Sequence, residues 1–141
     1  MFVNARVVLA GLLVALVAAA GSGAPVPAER LKAEKELAAV AAKLHGEWVG
    51  GPCEGRLTFR PDGTYEWSGR GPGGDTDTGT WVLRGDTKAP VLVLKCKTSD
   101  DEEREGTTAE LKLLQVDDAA FAFKFPERAE RSRFERPEPR K

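Results

Sequence analysis

Short runs in which apolar and polar residues alternate fill the chain from Trp48 to Phe125. In the run Arg56–Arg60, for example, Leu57 and Phe59 fall on one side and polar residues on the other. A period of two residues is the pattern of a strand that buries one face. No helical pattern separates the runs, whereas a parallel sheet needs a crossover connection, usually a helix, between its strands. The sequence therefore predicts an antiparallel sheet.

Turn sequences punctuate these runs. Pro61-Asp62-Gly63 joins the first clear strand to Thr64–Ser68, because Pro presets the backbone of a turn and Gly supplies a positive φ. We predict a mainly β fold, an antiparallel meander of about seven or eight strands that closes into a small barrel, since closure removes exposed edges. A strongly bent sheet or small sandwich is the second arrangement. The barrel domain is predicted over 46–126.

A different pattern precedes the barrel. The segment 28–45 is rich in Ala, Glu, Lys and Leu, which favour a helix. Its apolar stripe also includes Leu31, and it is clearest at Leu37, Val40, Ala41 and Leu44. One such stripe is not stable alone, so the helix is expected to pack on the barrel or cap one end of it.

The first residues carry an export pattern. An unbroken apolar run from Val7 to Ala20 follows Arg6, and it is shorter than the roughly 20 residues that span a membrane as a helix. We predict a signal peptide over 1–20, cleaved after Ala20, and a linker over 21–27. The protein is then secreted or periplasmic and has no membrane span after cleavage. An uncleaved N-terminal anchor is the alternative.

The chain has two cysteines, Cys53 and Cys96. In an exported protein an even pair of cysteines is typical of a disulfide. Counting along the alternating runs places both side chains on the inner face, which is compatible with a bridge. Two buried free thiols are the alternative.

The residues that open and continue the barrel resemble a known pattern. Leu44-His45-Gly46-Glu47-Trp48 precedes Leu57-Thr58-Phe59, then Asp62-Gly63-Thr64-Tyr65, and finally Gly79-Thr80-Trp81-Val82-Leu83. With an export signal, this order is similar to that of small secreted lipocalin-like (calycin-type) proteins of bacteria, of uncharacterised function. The resemblance covers roughly 44–125.

The resemblance implies a structural role for Gly46 and Trp48. In lipocalins the Trp of this Gly-x-Trp motif packs across the closed end of the barrel, beneath a basic residue from late in the chain. Lys124 and Arg128 are the candidates for that basic residue here. The barrel segment is short for a lipocalin that carries a ligand, so its aromatic residues are also suited simply to fill the interior.

No residue constellation in the sequence indicates catalysis, a metal or a cofactor. His45 is the single histidine, and the spacing supplies neither zinc ligands nor a nucleophile beside it. The loop 69–74 satisfies G-x-G-x-x-G, but no helix follows it to bind phosphate. The formal net charge of −1 gives no general attraction to nucleic acid. We therefore expect a non-enzymatic, monomeric protein.

The most favoured function is the binding of a small apolar molecule inside the barrel. Tyr65, Trp67, Trp81 and Phe123 are the predicted lining residues, with close packing of a small core as the alternative. The second function is that of an envelope or extracellular interaction module, similar to small inhibitor barrels, with an envelope protein as partner. The charged segment 127–141 is predicted to be a disordered tail.

Overall fold

A computed structural model describes residues 28–52, 54–69 and 74–138. It consists of one N-terminal helix, α1 (Ala28–Leu44), followed in these residues by eight strands. The predicted signal peptide, the linker, Cys53 and residues 70–73 of the Gly-rich loop lie outside the described residues. The strands are β1 (Gly46–Gly50), β2 (Gly55–Phe59), β3 (Thr64–Ser68), β4 (Thr76–Arg84), β5 (Val91–Ser99), β6 (Thr108–Val116), β7 (Ala120–Lys124) and β8 (Ser132–Glu135).

The sheet is an all-antiparallel meander that closes on itself. Each strand pairs with the next one along the chain, and β8 returns to pair with β1 through Val49 opposite Glu135 and Gly50 opposite Phe134. The predicted barrel is confirmed, and the architecture is consistent with a calycin-like fold. Because every strand has two neighbours, the barrel presents no free sheet edge.

The inner face of the barrel is the one that the alternation predicts. The strand residues assigned to the inside are buried or partly buried, whereas Lys95 and Lys97 point to solvent. The buried cluster comprises Leu44, Trp48, Leu57, Phe59, Tyr65, Trp81, Leu92, Leu94, Leu111, Leu113, Phe121, Phe123 and Phe134. Aromatic rings dominate it, and Phe121, Phe123 and Phe134 stack on one another.

The two ends of the barrel differ. At one end, called the closed end below, lie α1 and the short turns 60–63, 85–90 and 117–119. At the opposite end, called the loop end, lie residues 51–52 and 54, residues 69 and 74–75, and the longer connections 100–107 and 125–131. The helix and the long loops are thus separated by the length of the barrel.

Helix α1 covers the closed end through its last turn. Leu44 is fully buried, and its carbonyl oxygen accepts a hydrogen bond of 2.7 Å from the indole nitrogen of Trp48. Leu37, Val40 and Ala41 are half-buried, as the stripe predicts. Leu31 is exposed, since the first part of the helix extends past the barrel surface. The helix therefore acts as a plug at its C-terminal end only.

A basic residue does lie over Trp48, but it is neither of the two predicted candidates. The guanidinium of Arg136 covers the indole ring and donates hydrogen bonds to the carbonyl oxygens of Lys43 and Glu47. Lys124 lies on β7 opposite Lys112, and Arg128 lies at the loop end over Phe125. Trp48 lies buried at the closed end, and the basic residue over it comes from farther along the chain than the two candidates.

The prediction that 127–141 is a disordered tail is wrong for Ser132–Glu135, which form β8. Phe134 from this strand is completely buried, and its ring stacks on Phe121 at 5.1 Å between ring centres. The sequence pattern did not indicate this strand, because β8 is short, is surrounded by charged residues and sends only one large apolar side chain inward. Pairing with both β1 and β7 supplies the rest of its stability.

Within the described ranges, α1 is neither long nor apolar enough to cross a membrane, and no other helix qualifies.

Candidate functional site

A cavity of about 230 Å³ opens at the loop end of the barrel. Its floor is apolar, and four polar or ionisable residues lie around its upper part. The apolar and aromatic lining consists of Tyr65, Trp67, Leu94, Ala109, Leu111 and Phe125, and the polar part of Asp77, Cys96, Arg104 and Thr107. An apolar concavity with a few polar groups at one side is the usual form of a small-molecule site.

Asp77 is the one buried carboxylate among the described residues, at 3% exposure. It forms an ion pair with Arg104 of the 100–107 loop and accepts a hydrogen bond from the hydroxyl of Ser99. Both oxygens of Asp77 therefore have a partner, which a buried charge requires. The ion pair therefore holds the 100–107 loop against β4, beside the cavity.

Tyr65 and Cys96 form the inner wall of the cavity. Burial raises the pKa of the Tyr65 hydroxyl, and the neighbouring Cys96 and Asp77 raise it further. Burial also raises the pKa of the Cys96 thiol, with Asp77 adding to the effect. Both groups are thus held in their neutral forms, and the thiol donates a hydrogen bond of 3.4 Å to the carbonyl of Thr98. The inner wall carries no charge.

The cavity continues outward into a groove of about 470 Å³. Trp67, Arg104 and Phe125 line both spaces, and Arg128 and Asp75 border the groove alone. The guanidinium of Arg104 lies 5.9 Å from the ring centre of Trp67, and that of Arg128 lies 5.1 Å from the ring centre of Phe125. Two aromatic rings, each beneath an arginine, therefore form the passage from the groove to the cavity.

Two of the four predicted lining residues, Tyr65 and Trp67, line this cavity. Trp81 lies toward the closed end, where it packs on Phe59 and donates a hydrogen bond to the carbonyl of Arg60. Phe123 is fully buried beneath Phe125 and Phe134. These two residues are part of the packed core and are not brought to the cavity.

The sequence analysis did not single out Asp77, Arg104 or Arg128 as residues of this site. Asp77 has a signal in the sequence, because it shares the inward side of β4 with Gly79 and Trp81, where an acidic residue is unusual. Arg104 and Arg128 lie in charged loops and carry no such signal.

Cys96 has a free, buried thiol. Its predicted partner Cys53 lies outside the described residues, so the disulfide stays a prediction.

His45 is half-buried with its ring edge against Trp81, at 5.7 Å between ring centres. In the described part of the chain, no three His, Cys, Asp or Glu side chains converge as metal ligands would. The chemical features that distinguish the loop-end cavity are therefore its apolar floor, its neutral inner wall and its charged rim.

Comparisons with known proteins identify no relative: no family model matches the chain, and no curated protein or solved structure is significantly similar to it.

Proposed function

We propose that this protein binds a small apolar molecule in the loop-end cavity and has no enzymatic activity. The observation that carries the proposal is a cavity of about 230 Å³ with a floor of Leu94, Ala109 and Leu111 and an uncharged inner wall. A cavity of about 150 Å³ lined by apolar residues stays dry and binds benzene in another protein. Burial of an apolar ligand here is favoured by the same hydrophobic effect.

The packed half of the barrel limits the ligand's size. Trp48, Phe59, Phe121, Phe123 and Phe134 are at most 1% exposed and belong to the packed core, so a ligand reaches only the part of the interior that the cavity leaves open. Scaling from the benzene cavity gives room for roughly nine or ten non-hydrogen atoms. A ligand of that size is expected to bind with a dissociation constant on the order of micromolar.

We also propose that the protein is exported from the cytoplasm and is a monomer. The apolar run before Ala20 and the small residues at its end support cleavage there and release into the periplasm or the medium. The intact mass of the protein recovered from those fractions tests this, because cleavage after Ala20 gives a chain that begins at Gly21. A mass that includes residues 1–20 would contradict it.

Native mass spectrometry of the protein purified from cells that express the full sequence tests the binding function. We expect a small apolar compound added in excess to be seen bound to the protein and to be lost in Trp67→Ala, because Trp67 lines both the cavity and the groove. Trp81→Phe is the control, since Trp81 is a core residue away from the cavity and should retain the ligand. A protein that carries no ligand and acquires none from a panel of small apolar compounds would overturn the proposal.

An extracellular protein-interaction module is the second candidate. Val82 is 47% exposed on the outer face of β4, and this exposed apolar side chain is the observation in its favour. Val82→Lys separates the two functions, because it changes the outer face and leaves the cavity lining intact. Loss of partner binding in this variant, together with an empty cavity, would favour the second candidate.

A further inference from the structure

The charged groups at the mouth of the cavity are not equally accessible. Asp77 is buried and has both oxygens occupied by Arg104 and Ser99. The side chain of Arg104 is 45% exposed and uses one of its terminal nitrogens for Asp77, which leaves other N–H groups toward the groove. Asp77 also lines the cavity, but both of its oxygens already have partners, so it is Arg104 that has hydrogen-bonding groups left for a ligand.

Arg128 adds a second accessible positive charge. It is exposed, borders the groove and lies over Phe125, which itself lines the cavity. Among the described residues, no carboxylate lies within ion-pair distance of Arg128, whereas Arg104 has Asp77. Asp75 is the remaining charge at the groove, and it is exposed to solvent. A guanidinium group therefore lies over each of the two aromatic rings that form the passage.

We propose that the cavity selects a molecule with one carboxylate group attached to an apolar body of roughly seven carbons. The inference rests on the proposed binding function and specifies its ligand class. The apolar body lies on the cavity floor, and the carboxylate accepts hydrogen bonds from the free N–H groups of Arg104 and from Arg128. Guanidinium groups recognise planar carboxylates in this way.

The charge balance at the mouth favours a ligand with one negative charge over a ligand with two. Arg104 and Arg128 are offset by Asp75 and Asp77, so the four groups are together formally neutral. A ligand with one negative charge accepts hydrogen bonds from Arg104 and Arg128 and gives the mouth of the cavity a net charge of about −1. A phosphate monoester, which carries close to two charges at neutral pH, would leave a larger excess beside a buried carboxylate.

Isothermal titration at low ionic strength tests the inference with three probes of equal chain length, namely octanoate, 1-octanol and octylammonium. Octanoate is expected to bind on the order of tenfold more tightly than 1-octanol, and octylammonium more weakly than either. Added salt should reduce the advantage of octanoate, because the donors are partly exposed to solvent.

Arg128→Gln should remove most of that advantage and leave the affinity for 1-octanol unchanged. The matched control is Arg131→Gln, because Arg131 belongs to the same 125–131 loop but lines neither the cavity nor the groove. Arg104 is left in place, since its removal would leave Asp77 buried without its cation. An advantage that persists in Arg128→Gln, or is lost equally in Arg131→Gln, would overturn the inference.

The two proposals fail in different ways. Equal binding of octanoate and 1-octanol would overturn the carboxylate preference and leave the apolar-ligand function intact. Tighter binding of octylammonium would overturn it also, because the accessible charge would then be negative. Absence of binding by all three probes would contradict the proposed function itself.

Discussion

The guanidinium carbon of Arg136 lies 3.6 Å from the centre of the Trp48 indole ring. Arg136 also donates to the carbonyl oxygens of Lys43 at 2.9 Å, Glu47 at 3.3 Å and Asp118 at 3.3 Å. One side chain thus joins the end of α1, the start of β1 and the turn before β7. It closes the barrel at the end opposite the cavity, so the closed end has a structural role and the loop end is left for a ligand.

Arg136→Ala should lower the free energy of unfolding by about 2 kcal/mol, because it removes a cation–π contact and the donors to three carbonyls. Urea denaturation measures the change. The control is Arg133→Ala on β8, the strand just before Arg136, because Arg133 forms an exposed pair with Glu135 and should contribute less than about 1 kcal/mol. Equal losses in the two variants would contradict the closing role of Arg136.

Gly46→Ala should be more destabilising than Gly106→Ala. Both glycines have positive φ, of 105° and 76°, so each substitution strains the backbone by about 1–2 kcal/mol. A Cβ at position 46 would in addition lie 2.7 Å from a guanidinium nitrogen of Arg136, whereas nothing lies within 4 Å of one at position 106. Thermal unfolding should separate the two variants. In an Arg136→Ala background the difference between them should shrink, and a constant difference would contradict the contact.

Phe134→Ala should lower the free energy of unfolding by about 3–5 kcal/mol, because it empties a fully buried site in the aromatic core. A chain that ends at Arg131 should be destabilised further, since loss of β8 exposes the edges of β1 and β7. A chain that ends at Glu138 is the control and should unfold as the full-length protein does. Unchanged stability after removal of β8 would contradict the closed barrel.

Tyr65 is the single tyrosine of the chain, so alkaline titration of the ultraviolet absorbance reports on it alone. Burial raises its pKa, and the folded protein should therefore show little tyrosinate at the ordinary value near 10. Because the unfolded chain loses this proton more readily, stability should be complete below about pH 10 and fall as pH rises further. Titration of the folded protein at the value found in denaturant would contradict the burial of the hydroxyl.

We expect Cys53 and Cys96 to form a disulfide in the exported protein. The thiol of Cys96 is free in the structure and Cys53 lies outside the described residues, so the expectation rests on the even pair of cysteines in an exported chain. Denaturing alkylation with and without a reductant, followed by mass measurement, tests the pairing. An alkylated mass that is the same with and without the reductant would show two free thiols and contradict it.

The alternating pattern was sufficient to predict the barrel and its inner face, because a strand in a closed sheet must send every second residue inward. It could not separate Trp67 from Trp81, since both have inward parity and differ only in their depth along the barrel. That depth depends on how the strands are staggered, which pairing across the sheet determines. Leu83 and Phe125 are less buried than their neighbours for the same reason.

Long-range pairs were the other features that the sequence did not reveal. Phe134 stands alone among charged residues, so composition favoured a solvated tail, and only the unpaired edges of β1 and β7 explain why a strand forms there. Arg136 follows that strand and was missed with it. The buried pair of Asp77 and Arg104 likewise joins a strand to a distant loop, although an acidic residue on the inner face was a usable signal.

The most direct test of the binding site is calorimetric titration of 1-octanol into the wild type and two matched variants. Ala109→Phe places an aromatic ring in the cavity, whereas Ala122→Phe makes the same change on the outward side of β7. We predict micromolar binding to the wild type and to Ala122→Phe, and a loss of at least about tenfold in Ala109→Phe. Equal affinity in both variants, or no binding by any of the three proteins, would contradict a ligand site in the barrel.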